Sequence, residues 1–308
     1  MSVRELVVLG TASQMPTRFR NHNGYLLRWD SHGILFDPGE GTQRQFAFAD
    51  TSPAQVGRIC LTHFHGDHCL GLPGMLLRLS QDGIEHPVPL HYPASGQVHL
   101  DRLRHASIGH DTIDLRPMPI DTSRLDGLTV VDRTDEFTVS AAPLEHRADA
   151  IGYRIEEPAG RRMLPERLTA LGIRGPDVGR LRDEGSIDVD GRTVTLEEVS
   201  EHRPGQVFAF VMDTAWCDGA LALAEGADLL VCESTFLDAD AGLACEYGHL
   251  TARQAGRIAA QAGARRLVLT HFSQRYPDDQ VFADEAGLEF DDVVIAHDLA
   301  RIPLPPRR

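Results

Sequence analysis

The sequence predicts an α/β fold. Short apolar runs of strand length alternate with helix-like stretches along the whole chain, and several of those runs stop at a histidine or an aspartate. The chain has 308 residues, 42% of them hydrophobic and 24% charged, which is the balance of a folded globular protein and excludes a wholly disordered one. No internal repeat of fixed period appears.

The elements follow in order. Leu6–Leu9 is a short apolar strand stopped by Gly10. Gly24–Trp29 and Gly33–Asp37 read as a hairpin across Ser31–Gly33, and Gly39–Gly41 turns the chain into a helix from Thr42 to Ala49. Val56–Leu61 is a buried strand ending at Thr62, Leu72–Leu79 a helix on a sheet, Pro87–Tyr92 a strand and Ser95–Ala106 a helix. In the second half, Leu128–Val131, Glu136–Ala142, Val207–Met212, Asp228–Cys232 and Leu267–Leu269 are strand-like. Thr251–Ala262 is an alanine-rich helix with Thr251 at its N-cap and Gly263 after its end.

One segment departs from this rhythm. Residues 156–203 are rich in Gly and Pro, hold few large apolar side chains, and cluster Arg161, Arg162, Arg167, Arg174, Arg180 and Arg182. It reads as an inserted arm with little core of its own and a local basic patch, or else as a mobile surface loop. The tail Pro303–Arg308 is expected to fray.

Charge and cysteine content narrow the class. Acidic residues outnumber basic ones 45 to 30, a formal net charge of −15, so the overall basic field of a nucleic-acid binder is absent. The five cysteines have no C-x-x-C spacing and read as reduced thiols of a cytoplasmic protein. No apolar run is long enough to span a bilayer, and the N-terminus does not read as a secretory signal.

The strongest chemical signal is Thr62-His63-Phe64-His65-Gly66-Asp67-His68. His63, His65, Asp67 and His68 put three imidazoles and a carboxylate in six residues directly after a strand, a donor set suited to zinc or a similar divalent ion. The turn at Gly66 divides the donors into two pairs, which points to two metals. His146, Asp213 and His271 end other strand-like runs, and Asp213 is the best placed to bridge.

These residues carry a family resemblance. THFHGDH resembles the signature of the metallo-β-lactamase superfamily. The stretches LGTASQMPTRFRN, FDPGEGTQRQ, PLEHR, GIRGPDVGRL and GHLTARQAGRIAAQAGARRLVLTHFSQRY narrow it to the ribonuclease Z family, the tRNA 3′-end endonucleases. The resemblance implies an αββα sandwich, with residues 1–155 and 204–308 as the catalytic domain and 156–203 as a flexible substrate-binding arm. It implies two Zn2+ per subunit, with Mn2+ or Fe2+ as other occupants of the same donors. His63, His65 and His146 would hold one ion, Asp67, His68 and His271 the other, with Asp213 shared. Asp67 would accept a proton from the attacking water, His249 would assist the leaving oxygen, and Glu233 would orient His249. Arg18 and Arg20, with Arg174, Gly175 and Pro176 at the arm's tip, would touch substrate.

The implied substrate is precursor tRNA, cut to leave a 3′-hydroxyl on the tRNA and a 5′-phosphate on the trailer, by a cytoplasmic homodimer without membrane contact. Where the family usually has Gly-Asp-Thr-Arg, this chain has Met212-Asp213-Thr214-Ala215. That change puts a side chain near the metals and removes either a phosphate contact or a structural ion pair. It keeps two other readings open, a small-molecule zinc phosphodiesterase and a non-catalytic zinc-containing RNA-binding protein.

Overall fold

The computed structural model describes residues 3–108 and 112–308; Met1 and Ser2, where the N-terminal reading began, lie outside them. It divides into two compact units, 1–155 with 207–305, and 156–206 with 306–308.

The larger unit is built on two seven-stranded sheets. The first runs through β1 (Arg4–Gly10), β2 (Gly24–Trp29), β3 (His32–Phe36), β4 (Val56–Cys60), β5 (Val88–Pro93) and β6 (Leu115–Ile120) in spatial order. The chain's last strand, Arg301–Pro303, pairs antiparallel with β1 at the edge. The second sheet begins with β7 (Thr129–Arg133), β8 (Thr138–Leu144) and β9 (Ala150–Glu156).

Period-two alternation decides which face each side chain covers. Leu6 and Val8 of β1 point into the layer between the sheets, where they join Tyr25, Phe36, Ile151 and Tyr153. Val7 and Leu9 point outward and pack with Leu72, Met75, Leu76 and Leu79 of the helix Leu72–Gln81.

After the inserted segment, β14 (Val207–Val211), β15 (Leu229–Glu233), β16 (Leu267–Thr270) and β17 (Val293–Ile295) complete the second sheet as parallel neighbours, β10 to β13 being the short strands of the insertion. Phe208 and Phe210 of β14 face the inner layer, where Phe210 stacks on Phe36 at 4.6 Å and meets Tyr25 edge-on at 5.2 Å. The other face of this sheet carries the helices Asp218–Ala224, Ala252–Gln261 and Gln280–Ala286. The result is helix, sheet, sheet, helix, the expected αββα sandwich.

The parallel strands turn one common end toward the same place. Chain continuity puts Asp37 just after β3, Leu61–His63 after β4, Asp213 after β14 and His271 after β16, all at C-terminal strand ends. Ligand sites of open α/β sheets favour that end.

The smaller unit is more ordered than its composition suggests. It holds two antiparallel pairs, β10 (Gly160–Met163) with β13 (Ser200–Arg203) and β11 (Ser186–Val189) with β12 (Arg192–Thr195). It also contains the helices Pro165–Ala170 and Pro176–Glu184. Leu168, Ile173, Leu181, Ile187, Val194 and Val199 form a core of its own, which corrects the expectation that it could not build one. The expected basic patch is also corrected. Residues 156–206 contain eight arginines against eleven carboxylates. Arg161 faces Glu197, Arg162 faces Glu201, and Arg180 faces Asp177 and Glu184.

The tail does not fray: Leu304 N–H donates to Arg4 C=O in the larger unit, and Arg307 binds both oxygens of Glu157 in the smaller one. No helix of the described residues is long and apolar enough to cross a membrane.

Candidate metal centre

Six side chains from three strand ends and one short helix converge on Asp213, itself just past the end of a fourth strand. His63 follows β4, and His65 caps the helix Gly66–Cys69 that carries Asp67 and His68. His146 follows β8, and His271 follows β16.

Each oxygen of Asp213 faces a different set. Oδ2 lies 3.6 Å from His63 Nε2 and 3.7 Å from His146 Nε2, and both histidines reach His65 Nδ1, at 2.9 and 3.2 Å. Oδ1 lies 3.3 Å from His68 Nε2 and 3.2 Å from His271 Nε2, while Asp67 Oδ2 stands 3.4 and 3.5 Å from those two nitrogens. The seven residues expected from the sequence therefore lie in one cluster: His63, His65, His146 and Asp213 form one group, Asp67, His68 and His271 another, and Asp213 and His271 also group with His249.

The donor chemistry fits cations. Asp213 Oδ1 and His271 Nε2 are buried without a hydrogen-bond partner, an arrangement that is costly unless something positive stands between the sets. Burial holds His63, His65 and His146 below the usual imidazole range, aided in His63 by His68 and in His65 by His146, so these rings are neutral, as metal ligands must be. Backbone strain accompanies the cluster: Asp213 (φ 32°), His271 (φ 62°) and Asp37 (φ 41°) all adopt left-handed conformations that non-glycine residues rarely take.

A supporting shell fixes the rings. His68 Nδ1 is 2.9 Å from Asp37 Oδ2, and Asp37 also accepts the Thr62 N–H and hydroxyl at 2.7 Å each. His146 Nδ1–H donates to Gly248 C=O at 2.8 Å. His271 Nδ1 meets the Thr235 hydroxyl at 2.7 Å. Such partners set the tautomer and aim of a ligand imidazole. Sequence reasoning missed Asp37 and Thr235 in these roles; Asp37 ends β3 as Asp213 follows β14, and the same strand-end pattern could have found it.

Beside the cluster, Glu233 at the end of β15 is wholly buried and accepts the Thr214 N–H, the Thr235 N–H and hydroxyl, and His249 Nδ1–H at 2.8 Å. Burial disfavours the His249 cation, but the Glu233 carboxylate outweighs it and pushes the imidazole up to about 9. Local sequence fixes the position of His249: Gly248, left-handed at φ 72°, turns out of the helix Ala241–Tyr247, and Thr251 then starts the next helix with a capping box to Gln254.

The cluster opens into a cavity of about 830 Å³ lined by His65, Asp67, His146, Asp213 and His249, together with Met15, Leu70, Arg147, Tyr247 and Arg275. Arg18 and Arg20 do not line it. Arg20 is ion-paired with Asp279 and lies over the Phe272 ring. Arg174, Gly175 and Pro176 lie in the smaller unit, where Gly175 (φ 60°) caps the helix begun by Pro176. The Met212 side chain is buried in the core between the sheets and does not reach the cavity, so the expected intrusion near the metals does not occur. Ala215 N–H donates to Glu145 C=O at 2.7 Å, joining the Asp213 loop to the His146 loop.

Residues 17–208 match the family model of the metallo-β-lactamase superfamily. Over 310 residues, covering all of both chains, the sequence is 61% identical to the ribonuclease Z of Nocardia farcinica. It is 59% identical to that of Salinispora arenicola, covering all of this chain and 98% of the relative. The fold superposes on the crystal structure of the short form of human tRNase Z with a TM-score of 0.71 and 25% identity, covering 98% of this chain and all of the other. By full-length identity, fold and a convergent histidine–aspartate cluster, the chain belongs to the ribonuclease Z family of the metallo-β-lactamase superfamily.

Proposed function

We propose that the protein is a metal-dependent endoribonuclease that removes the 3′ trailer from precursor tRNA, leaving a 3′-hydroxyl on the tRNA and a 5′-phosphate on the trailer. The observation that carries this reading is Asp213, whose two oxygens face two separate donor sets beside the His249–Glu233 pair. Full-length similarity to proteins named ribonuclease Z supports the substrate class.

His63, His65 and His146 would hold one zinc ion and Asp67, His68 and His271 a second, with Asp213 shared; manganese or iron suits the same nitrogen and oxygen donors. Such ions lower the pKa of water toward neutrality and neutralise charge growing on phosphoryl oxygens.

The chain's own residues do the rest. Asp67 Oδ2 accepts the Gln14 N–H at 2.8 Å. That carboxylate is placed to take the proton of an attacking water. His249, kept cationic by Glu233 at neutral pH, gives a proton to the departing oxygen. Thr235 and Gly248 hold the imidazoles against rotation while charge moves.

The smaller unit is the substrate-binding arm of this reading. Its conspicuous cation is Arg174, exposed beside the Gly175–Pro176 turn. The resemblance also implies a homodimer, which light scattering tests. A cytoplasmic setting accords with five unpaired cysteines, four of them buried.

The proposal is tested by removing metal from the purified protein, assaying a precursor tRNA, and restoring zinc. Cleavage that disappears and returns supports it. Undiminished cleavage by the metal-free protein refutes it.

A further inference from the structure

A cation and an aromatic ring that the ligand set leaves unused stand together on the rim of the cleft. Arg147 follows His146 in the chain, is exposed, and lines the cavity. Its guanidinium carbon sits 4.6 Å from the centre of the Tyr247 ring, and its Nη2 donates to Glu246 C=O at 2.6 Å. Phe236 stacks beside Tyr247 with the ring planes 14° apart.

Among the described residues no carboxylate stands within ion-pair distance of this guanidinium, in contrast to Arg20, which Asp279 neutralises. Arg147 is thus a cation fixed in place by an aromatic face and one carbonyl, with its other N–H groups directed elsewhere.

Its location is set by the same backbone approach that aims the cluster. His146 Nδ1–H binds Gly248 C=O, and a Cβ on Gly248, at φ 72°, would stand 3.3 Å from that nitrogen, so a side chain there would strain the approach of the two segments. One strand of this contact supplies His146 and then Arg147, and the other supplies Tyr247 and then, past Gly248, His249. The metal-facing histidine and the proton-donating histidine point inward, while arginine and tyrosine form the adjoining rim.

A chain of net charge −15 needs local cations to hold a polyanion, and this one lies one residue from the reacting centre.

We infer that Arg147, held flat by Tyr247, binds the backbone phosphate next to the scissile one in the precursor RNA. This rests on the proposed function. Holding a guanidinium against a ring limits the side-chain freedom lost when phosphate binds. Arg147 is a positioning residue, since it touches a phosphate that does not react.

The test uses the zinc-loaded full chain on a trailer-bearing precursor tRNA, at salt concentrations from about 50 to 200 mM. Arg147→Ala is expected to raise KM about tenfold, with most of the loss in KM rather than kcat. It should also flatten the plot of log KM against log salt by about 0.7–0.9, the contribution of one phosphate contact. Arg147→Lys restores the slope but only part of the affinity, because an ammonium lacks the planar fork. Tyr247→Ala gives an intermediate rise in KM.

A wild-type salt slope in Arg147→Ala overturns the inference. So does loss of bound zinc in step with activity, which would make Arg147 only a support for His146. If the wild-type protein hydrolyses bis-p-nitrophenyl phosphate but leaves precursor tRNA intact, the proposed function fails, and this inference with it.

Discussion

Glu233 Oε1 lies 2.8 Å from His249 Nδ1 at the end of β15, and the carboxylate is wholly buried. Its remaining hydrogen-bonding capacity is taken by Thr214 and Thr235, so the carboxylate cannot turn away from the imidazole. A buried anion with a single cationic partner keeps that partner charged and oriented.

The first prediction follows from this pair. His249→Ala should lower the single-turnover rate of precursor cleavage by about 10²–10⁴-fold, the range for loss of a general acid. Glu233→Gln keeps the shape but removes the charge, and should cost roughly one to two orders of magnitude of the same rate. Bound metal, read by elemental analysis, should remain in His249→Ala. A wild-type rate in either variant would remove the pair from the reaction.

Asp213 lies against both donor sets, whereas His65 lies in one. Asp213→Ala should therefore lose nearly all bound zinc, while His65→Ala should lose chiefly the ion of its own set. Both variants should be inactive on precursor tRNA. The melting temperature of the wild-type protein should fall on chelation and recover with zinc, because an ion that binds only the native state stabilises it. Equal metal loss in the two variants would contradict the division of donors.

In the smaller unit, Arg161, Arg162 and Arg180 face carboxylates, whereas among the described residues no carboxylate stands within ion-pair distance of Arg174. Arg174→Ala should raise KM for precursor tRNA several-fold, and Arg162→Ala by much less. Deleting residues 160–200 should impair precursor cleavage far more than hydrolysis of bis-p-nitrophenyl phosphate. Equal losses on both substrates would remove the arm from substrate binding.

A pH dependence of stability arises far from the metal cluster. His91 is fully buried beside Arg58, with Asp132 Oδ2 3.5 Å from its Nε2. Burial, then Arg58, holds it down to about 4, against 6.5 for a free imidazole. As pH falls below about 6.5 the unfolded chain takes up a proton that the folded chain refuses. The contribution is complete above that pH and is lost as pH falls toward 4. Urea unfolding of wild type and His91→Gln at pH 7 and pH 5 should show the steeper loss in wild type. Parallel losses would place the proton uptake elsewhere.

The layered fold and the metal cluster were legible in the sequence because each rests on local signals. Strand-length apolar runs alternate faces, and His63, Asp213 and His271 follow such runs immediately. The support around them depends on contacts distant in sequence. Asp37 reads only as the last residue of a strand until His68 is brought against it, and Arg20 reads as a free cation until Asp279 meets it. The core of the smaller unit was hidden for a related reason. Leu168, Ile173, Leu181, Ile187 and Val194 are single apolar residues too widely spaced to make a period, and they converge only after one hairpin, one long-range strand pair and two helices form. Met212 illustrates the reverse error: a position beside a metal ligand was read as facing the metal, although strand alternation sends its side chain to the opposite face.

The central claim is that this cluster cuts precursor tRNA at one phosphodiester. The most direct measurement is to incubate the zinc-loaded protein with a labelled precursor carrying a 3′ trailer and map the product ends. The account predicts a single cut after the discriminator nucleotide, with a 3′-hydroxyl on the tRNA and a 5′-phosphate on the trailer. An intact precursor, with zinc bound and a small phosphodiester hydrolysed by the same preparation, would contradict it.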